Sequence, residues 1–202
     1  PICLLQWDNI YYQPPTQEYL APKTTVRVGL VQWQMRSYKT LDDLFEQVEF
    51  FVDAVSDYKS DFVLFPEYFN APLMSKYNDK GESQAIRGLA QYTEEIRDRF
   101  INLAISYNIN IITGSMPLIK EDGLLYNAGF LCRRDGTYEM YEKLHVTPDE
   151  IKSWGLSGGK QLKTFETDCA KIGILICYDV EFPELSRLMA DQGMQILFVP
   201  FL

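Results

Sequence analysis

The sequence predicts an α/β domain whose strands lie buried in a mixed sheet. Three observations carry that prediction. Apolar, β-branched runs alternate along the chain with segments of helical periodicity, the pattern of layered α/β domains. Several of these runs, such as Ile172-Gly-Ile-Leu-Ile, are apolar almost throughout, so both strand faces are covered. One pair of runs meets at Arg134-Asp135-Gly136, a hairpin signal that adds antiparallel pairing to the sheet.

Each element follows from a local pattern. Residues 26–33 alternate and are rich in valine, hence a strand. Thr40 with Asp43 three residues on resembles a capping box, and Leu41, Leu44, Phe45, Val48, Val52 and Val55 recur at helical spacing, so 41–58 is an amphipathic helix. The short apolar run 61–65 is closed by Pro66, which disfavours helix in the residue before it and marks a buried strand. Residues 70–81 are polar and read as a loop. Ile86, Leu89, Ile96, Phe100, Leu103 and Ile105 place one long helix, or a broken pair, over 84–107. Strands follow at 110–114, 124–132 and 137–143. A loop with three glycines covers 146–163. Residues 172–177 form a buried strand, Pro183 opens a helix to 192, and 196–201 is a final strand.

The first 24 residues carry Pro14-Pro15 and Pro22 among tyrosines and read as an arm or linker; 25–202 read as one domain. The chain begins on Pro1 and ends on the apolar run Ile196-Leu-Phe-Val-Pro-Phe-Leu202, the expectation for a piece of a longer polypeptide with material missing on both sides and the domain incomplete at its C-terminus.

Composition narrows the function classes. At 202 residues, 47% hydrophobic and 23% charged, the chain can build a core without staples. A net charge of −9 with no basic cluster argues against nucleic acid and against anionic membranes. No apolar run approaches the ~18 residues needed to span a bilayer. Cys3, Cys132, Cys169 and Cys177 show no C-x-x-C spacing, which fits free thiols in a reducing, cytoplasmic setting. With His145 as the one histidine, a multi-His metal site is impossible, and a thiolate-rich zinc site finds no support in the cysteine spacing. Gly155-Leu-Ser-Gly-Gly-Lys160 fails as a phosphate loop: three residues, not four, separate Gly155 from Gly159-Lys160, and Gln161 follows.

Three motifs could carry chemistry. Glu67 sits one proline beyond a buried strand, where a half-buried carboxyl could serve as a base or simply cap the turn. Lys143 ends a strand before a loop, where its cation could hold an oxyanion or face water; Glu150, seven residues on, could pair with it. Cys177 ends an apolar strand and precedes a helix begun by Pro183. This strand–turn–helix form resembles a nucleophile elbow with Cys in place of Ser, and the Tyr178 backbone N–H could point at a substrate oxygen. A buried structural thiol fits the same pattern. His145, two residues past Lys143 and expected on the same strand face, reads as packing or support.

In this order, Phe65-Pro-Glu67, Glu142-Lys143-Leu-His145 and Ile176-Cys177-Tyr-Asp with Phe182-Pro183-Glu resemble the nitrilase superfamily of carbon–nitrogen hydrolases, over 26–202. The resemblance implies a four-layer αββα sandwich with mixed sheets, usually a homodimer or higher homo-oligomer, with no metal and no organic cofactor. It implies a small amide as substrate, Cys177 as nucleophile, Glu67 as base, and Lys143 with the Tyr178 N–H as oxyanion donors. Glu150 matches the second glutamate that many members carry. Cys177-Tyr178-Asp179, rather than Cys-Trp-Glu, looks like the amidase and nitrilase-like branches. Some members carry a further N-terminal domain, to which the arm could belong. An N-carbamoyl hydrolase, a nitrilase, a non-catalytic scaffold and a cysteine peptidase based on His145 remain the competing readings.

Overall fold

The computed structural model describes residues 25–202 and, as backbone, 2–8. Of the expected arm, 1 and 9–24 lie outside the described residues, as does the side chain of Cys3. Ile2–Asp8 is a strand, β1, antiparallel to β2 (Thr25–Val31).

The helix α1 (Leu41–Asp57) shows how closely local pattern and structure agree. The Thr40 hydroxyl accepts from the Asp43 N–H at 3.0 Å, and the Asp43 carboxylate accepts from the Thr40 N–H at 2.9 Å. All six apolar positions named above are buried. The 84–107 region is the broken pair, α2 (Glu82–Leu89) and α3 (Thr93–Ser106), separated by a single 3₁₀ turn. At the break the buried Thr93 hydroxyl donates to the Pro117 carbonyl at 2.6 Å, tying the helix start to a strand.

Residues 70–81 are more ordered than a loop: Ala71–Tyr77 is a 3₁₀ helix with Pro72 in its first turn. Its three-residue turn carries no 3.6-residue periodicity for sequence reading to detect. Two short strands also escaped the pattern. They are β5 (Met116–Ile119), whose proline suits the edge position it occupies, and β8 (Thr164–Glu166), too short to show alternation.

The larger sheet joins β1, β2, β3 (Phe62–Leu64), β4 (Asn110–Ile112), β6 (Leu125–Cys132), β5 and β7 (Tyr138–Glu142). The pairs β2–β3 and β3–β4 are parallel, while β6 runs antiparallel to β4, β5 and β7. Two reversals in succession, β4 to β6 and β6 to β7, turn β7 back parallel to β3. The carboxyl ends of β3 and β7 therefore point to the same end of the sheet. The smaller sheet holds β8, β9 (Lys171–Ile174) and β10 (Ile196–Phe198), with β9 and β10 parallel.

Strand alternation sorts side chains into two cores. Val63 and Phe65 join Val48, Val52 and Phe100 between the larger sheet and its helices. Val26, Val28, Phe62 and Ile112 turn the other way, against Ile172, Ile174, Ile196 and Phe198 of the second sheet. On the outer face of that sheet, α4 (Pro183–Asp191) places Met189 over Gly173, where an added Cβ would lie 2.8 Å from the Met189 sulfur. The layers run helix, sheet, sheet, helix, the expected αββα sandwich. Among the described residues no helix is long and apolar enough to cross a membrane.

Candidate active site

Glu67 leaves β3 through Phe65-Pro66, and the exit is clamped by the turn after β4. Ser115 N–H donates to the Pro66 carbonyl at 3.2 Å. Gly114 has φ +69°, and a Cβ there would come within 1.9 Å of the Pro66 oxygen, so only glycine permits this approach. Tyr68 is held at φ +49°, a strained backbone for a bulky residue. Lys143 follows β7 and is buried. Its backbone end is packed by the glycine turn: Gly159 N–H donates to the Lys143 carbonyl at 2.8 Å, and a Cβ on Gly158 would lie 2.5 Å from the Leu144 oxygen. The sequence Gly155–Lys160 is thus a close-packing turn. Glu150 opens a π-helical turn, Glu150–Trp154.

These residues converge. The Lys143 ammonium donates to Glu67 Oε1 at 2.8 Å and to Glu150 at 2.9 Å. Of the two readings of Lys143, solvated or interior, the structure gives the interior one, and Glu150 is its partner. Glu150 also accepts from the Tyr68 hydroxyl at 2.8 Å and the Thr147 N–H at 2.7 Å. Asn127, from the middle of β6, donates its side-chain amide to Glu67 Oε1 at 2.8 Å. The formal count is two carboxylates against one ammonium, a net −1 in a buried cluster.

Cys177 is half-buried and lies at φ +44°, at the start of a 3₁₀ turn, Cys177–Glu181. Its N–H donates to the Pro200 carbonyl at 2.9 Å. The thiol lies close enough to Glu67 and Lys143 for both charges to bear on its titration. Tyr178 follows in the same turn, its ring edge-on to Phe182.

The electrostatics are consistent with this geometry. Burial pulls the Lys143 pKa down, but Glu67 and Glu150 outweigh it and hold the ammonium above its usual value. Burial pushes Glu150 up, yet the Thr147 N–H, Lys143 and Tyr68 bring it below the usual carboxylate range. The Cys177 thiol is raised, first by burial and then by Glu67, with Lys143 pulling only partly the other way. At rest the Cys177 side chain is therefore a neutral thiol beside Glu67.

His145 does not share a strand face with Lys143, because β7 ends at Glu142. It stacks on Phe182 with ring centroids 3.8 Å apart, and its Nδ1 lies 3.2 Å from Asp179. Asp179 is fully buried and joins two segments: it accepts from the N–H groups of Leu144, His145 and Ile176 at 2.7–3.2 Å. Sequence reasoning passed over Asn127, Asp179 and Tyr68. The available signal was a lone carboxamide inside the apolar run 125–132, and an acid two residues past the thiol. Cys132 and Cys169 are buried, and burial raises both thiols to about 12. Among the described residues no group of three or more His, Cys, Asp or Glu is arranged to hold a metal ion.

Comparison with known proteins places this geometry in context. The family model described as carbon–nitrogen hydrolase matches residues 27–201. The chain is 45% identical over 199 residues to the probable hydrolase YhcX of Bacillus subtilis (strain 168), covering 98% of this chain and 39% of that protein. It is 32% identical over 190 residues to the human omega-amidase NIT2, covering 88% of this chain and 63% of that one. The chain thus spans less than two thirds of either relative. Among solved structures, a carbon–nitrogen hydrolase from Helicobacter pylori G27 superposes with a TM-score of 0.75 at 23% identity, covering 87% of this chain and 59% of that one. Nit3 of Saccharomyces cerevisiae, from branch 10 of the nitrilase superfamily, superposes at 0.73 with 24% identity, covering 87% and 64%.

Proposed function

The chain belongs to the carbon–nitrogen hydrolase family, and from that premise we propose that the protein it forms hydrolyses the carbon–nitrogen bond of a small amide through a cysteine thioester. The observation that carries the reading is the cluster itself: one ammonium within 2.9 Å of two carboxylates, with a thiol near enough for Glu67 to raise its pKa. A neutral thiol needs a base at the moment of attack, and Glu67 is the charged group that bears most strongly on it.

In this mechanism the Cys177 sulfur bonds to the amide carbon as its proton passes to Glu67, and the carbonyl electrons move onto oxygen. Two of the three Lys143 N–H groups are engaged by carboxylates; the third, with the Tyr178 backbone N–H, stabilises that oxyanion. The carbon–nitrogen bond breaks as Glu67 returns the proton to nitrogen, releasing ammonia or an amine. Water then attacks the thioester, giving its proton to Glu67, and the acid leaves as the thiol is restored. Glu150 holds Lys143 in place throughout. The His145-based peptidase reading loses support, since His145 is engaged by Asp179 and Phe182.

An ammonia-release screen over small amides, ω-amides, N-carbamoyl compounds and nitriles tests the proposal. Release by an amide, abolished by Cys177→Ala and reduced at least 10²-fold by Glu67→Gln, is the expected outcome. Unchanged release by Cys177→Ala would overturn the mechanism. Preferential release from a nitrile or an N-carbamoyl compound would move the substrate class.

A further inference from the structure

We propose that Asn127 is a positioning residue that fixes the orientation of the Glu67 carboxylate and leaves one of its oxygens to exchange protons with Cys177. The inference rests on the reading of Glu67 as base and extends it to a residue with no part in that mechanism.

Asn127 lies in β6 directly opposite Lys143, whose N–H donates to its backbone carbonyl at 2.9 Å. Its side chain is fully buried. The amide Nδ2 is 2.8 Å from Glu67 Oε1 and 3.4 Å from Glu150 Oε1, while Oδ1, also buried, has no hydrogen-bond partner among the described residues. The strand around it is apolar or small, so a carboxamide here forfeits solvation that a leucine would not need. Turning the amide over would set its oxygen against two carboxylate oxygens. The donor is what this position supplies.

Its effect on Glu67 is geometric. Oε1 receives both the Lys143 ammonium and the Asn127 amide, one donor from just past β7 and one from β6. A carboxylate held at one oxygen by two fixed donors cannot rotate freely, and its second oxygen is the one left for the thiol proton. Lys143 alone could not do this, because Glu150 pulls on the same ammonium. A cation at 127 would compete with Lys143 for both acids. A neutral donor adds a bond and no charge. The titratable groups facing Glu67 are Lys143 from the end of β7, Glu150 from the π-helical turn, Tyr68 beside it in sequence, and Cys177 from its own turn.

The test measures the rate of Cys177 alkylation by iodoacetamide against pH in the full chain, for wild type, Asn127→Leu, Asn127→Asp and Glu67→Gln. Asn127→Leu keeps the volume and deletes the donor. It should slow alkylation about 10- to 100-fold at neutral pH, the loss typical of one hydrogen bond to a charged group, and move the acid limb of the profile upward. Asn127→Asp keeps the shape. Ionised, it adds a third acid to the cluster and should slow the reaction further. Protonated, it donates again, so alkylation relative to Asn127→Leu should recover as pH falls. Profiles for both variants that match wild type in shape, whatever their height, would overturn the proposal, because a packing role moves the rate and not its pH dependence. If Asn127→Leu fails to fold, the pH recovery of the isosteric Asn127→Asp decides alone. Glu67→Gln separates the two readings. Should it leave the profile unchanged, Glu67 is not the base. Should it abolish the acid limb while the Asn127 variants do not shift it, the positioning role alone fails.

Discussion

Lys143 and Glu150 favour each other's charged form. Glu150 has its pKa lowered in the fold, so its contribution to stability is present above the ordinary carboxylate value of 4.5 and is lost as pH falls through the folded value. Lys143 has its pKa raised, so its contribution is present below 10.5 and fades only as pH climbs past the folded value. Breaking such a buried group by removing one partner costs about 3–5 kcal/mol. Glu150→Gln should therefore lower the urea midpoint at pH 7, and the gap to wild type should narrow below pH 4.5. A gap unchanged at pH 3.5 would refute the assignment. Glu67, Lys143 and Cys177 were visible in sequence because each sits where an apolar run stops, and a polar residue there has somewhere to go. Asn127 was hidden because it interrupts a run, where one amide in eight residues looks like noise. Its partners lie 23, 16 and 60 residues away.

Two turns do the work of holding strand ends in register. Asp179 is the link between them: one buried carboxyl, its pKa raised by burial and countered by the N–H groups of His145, Leu144 and Ile176, binds the end of β7 to the turn of Cys177. Gly114 plays the same part for β3. Gly114→Ala must accommodate a Cβ 1.9 Å from the Pro66 oxygen at φ +69°. The expected cost is about 2–4 kcal/mol from strain and overpacking together. Because Pro66 precedes Glu67, kcat should fall beyond what the lost stability explains; equal loss in kcat and in folded fraction would contradict this. The long elements were readable since an amphipathic period extends over several turns, as in α1. The 3₁₀ helix at Ala71–Tyr77 and the three-residue β8 are shorter than any period, and only tertiary pairing defines them.

At the scale of the molecule, two sheets share one interior. Phe62 of the larger sheet meets Phe198 of the smaller with ring centroids 5.2 Å apart. Phe62→Ala should cost about 3–5 kcal/mol, and far-ultraviolet and near-ultraviolet signals should still unfold in one coincident transition. Two separated transitions would mean that the sheets fold as independent units. The layer order was implied by three short motifs rather than by periodicity, since alternation reveals that both faces of a strand are covered without saying by what. On the proposed function, the formal −1 of the Glu67–Lys143–Glu150 cluster has a consequence that reaches beyond the fold. A guest molecule carrying an acid group next to its scissile carbonyl would be repelled at short range, in a medium too dry to screen the force. One that bears its acid several bonds away, or none, would enter freely. Discrimination among guests would then begin with their electrostatics, before shape is ever compared.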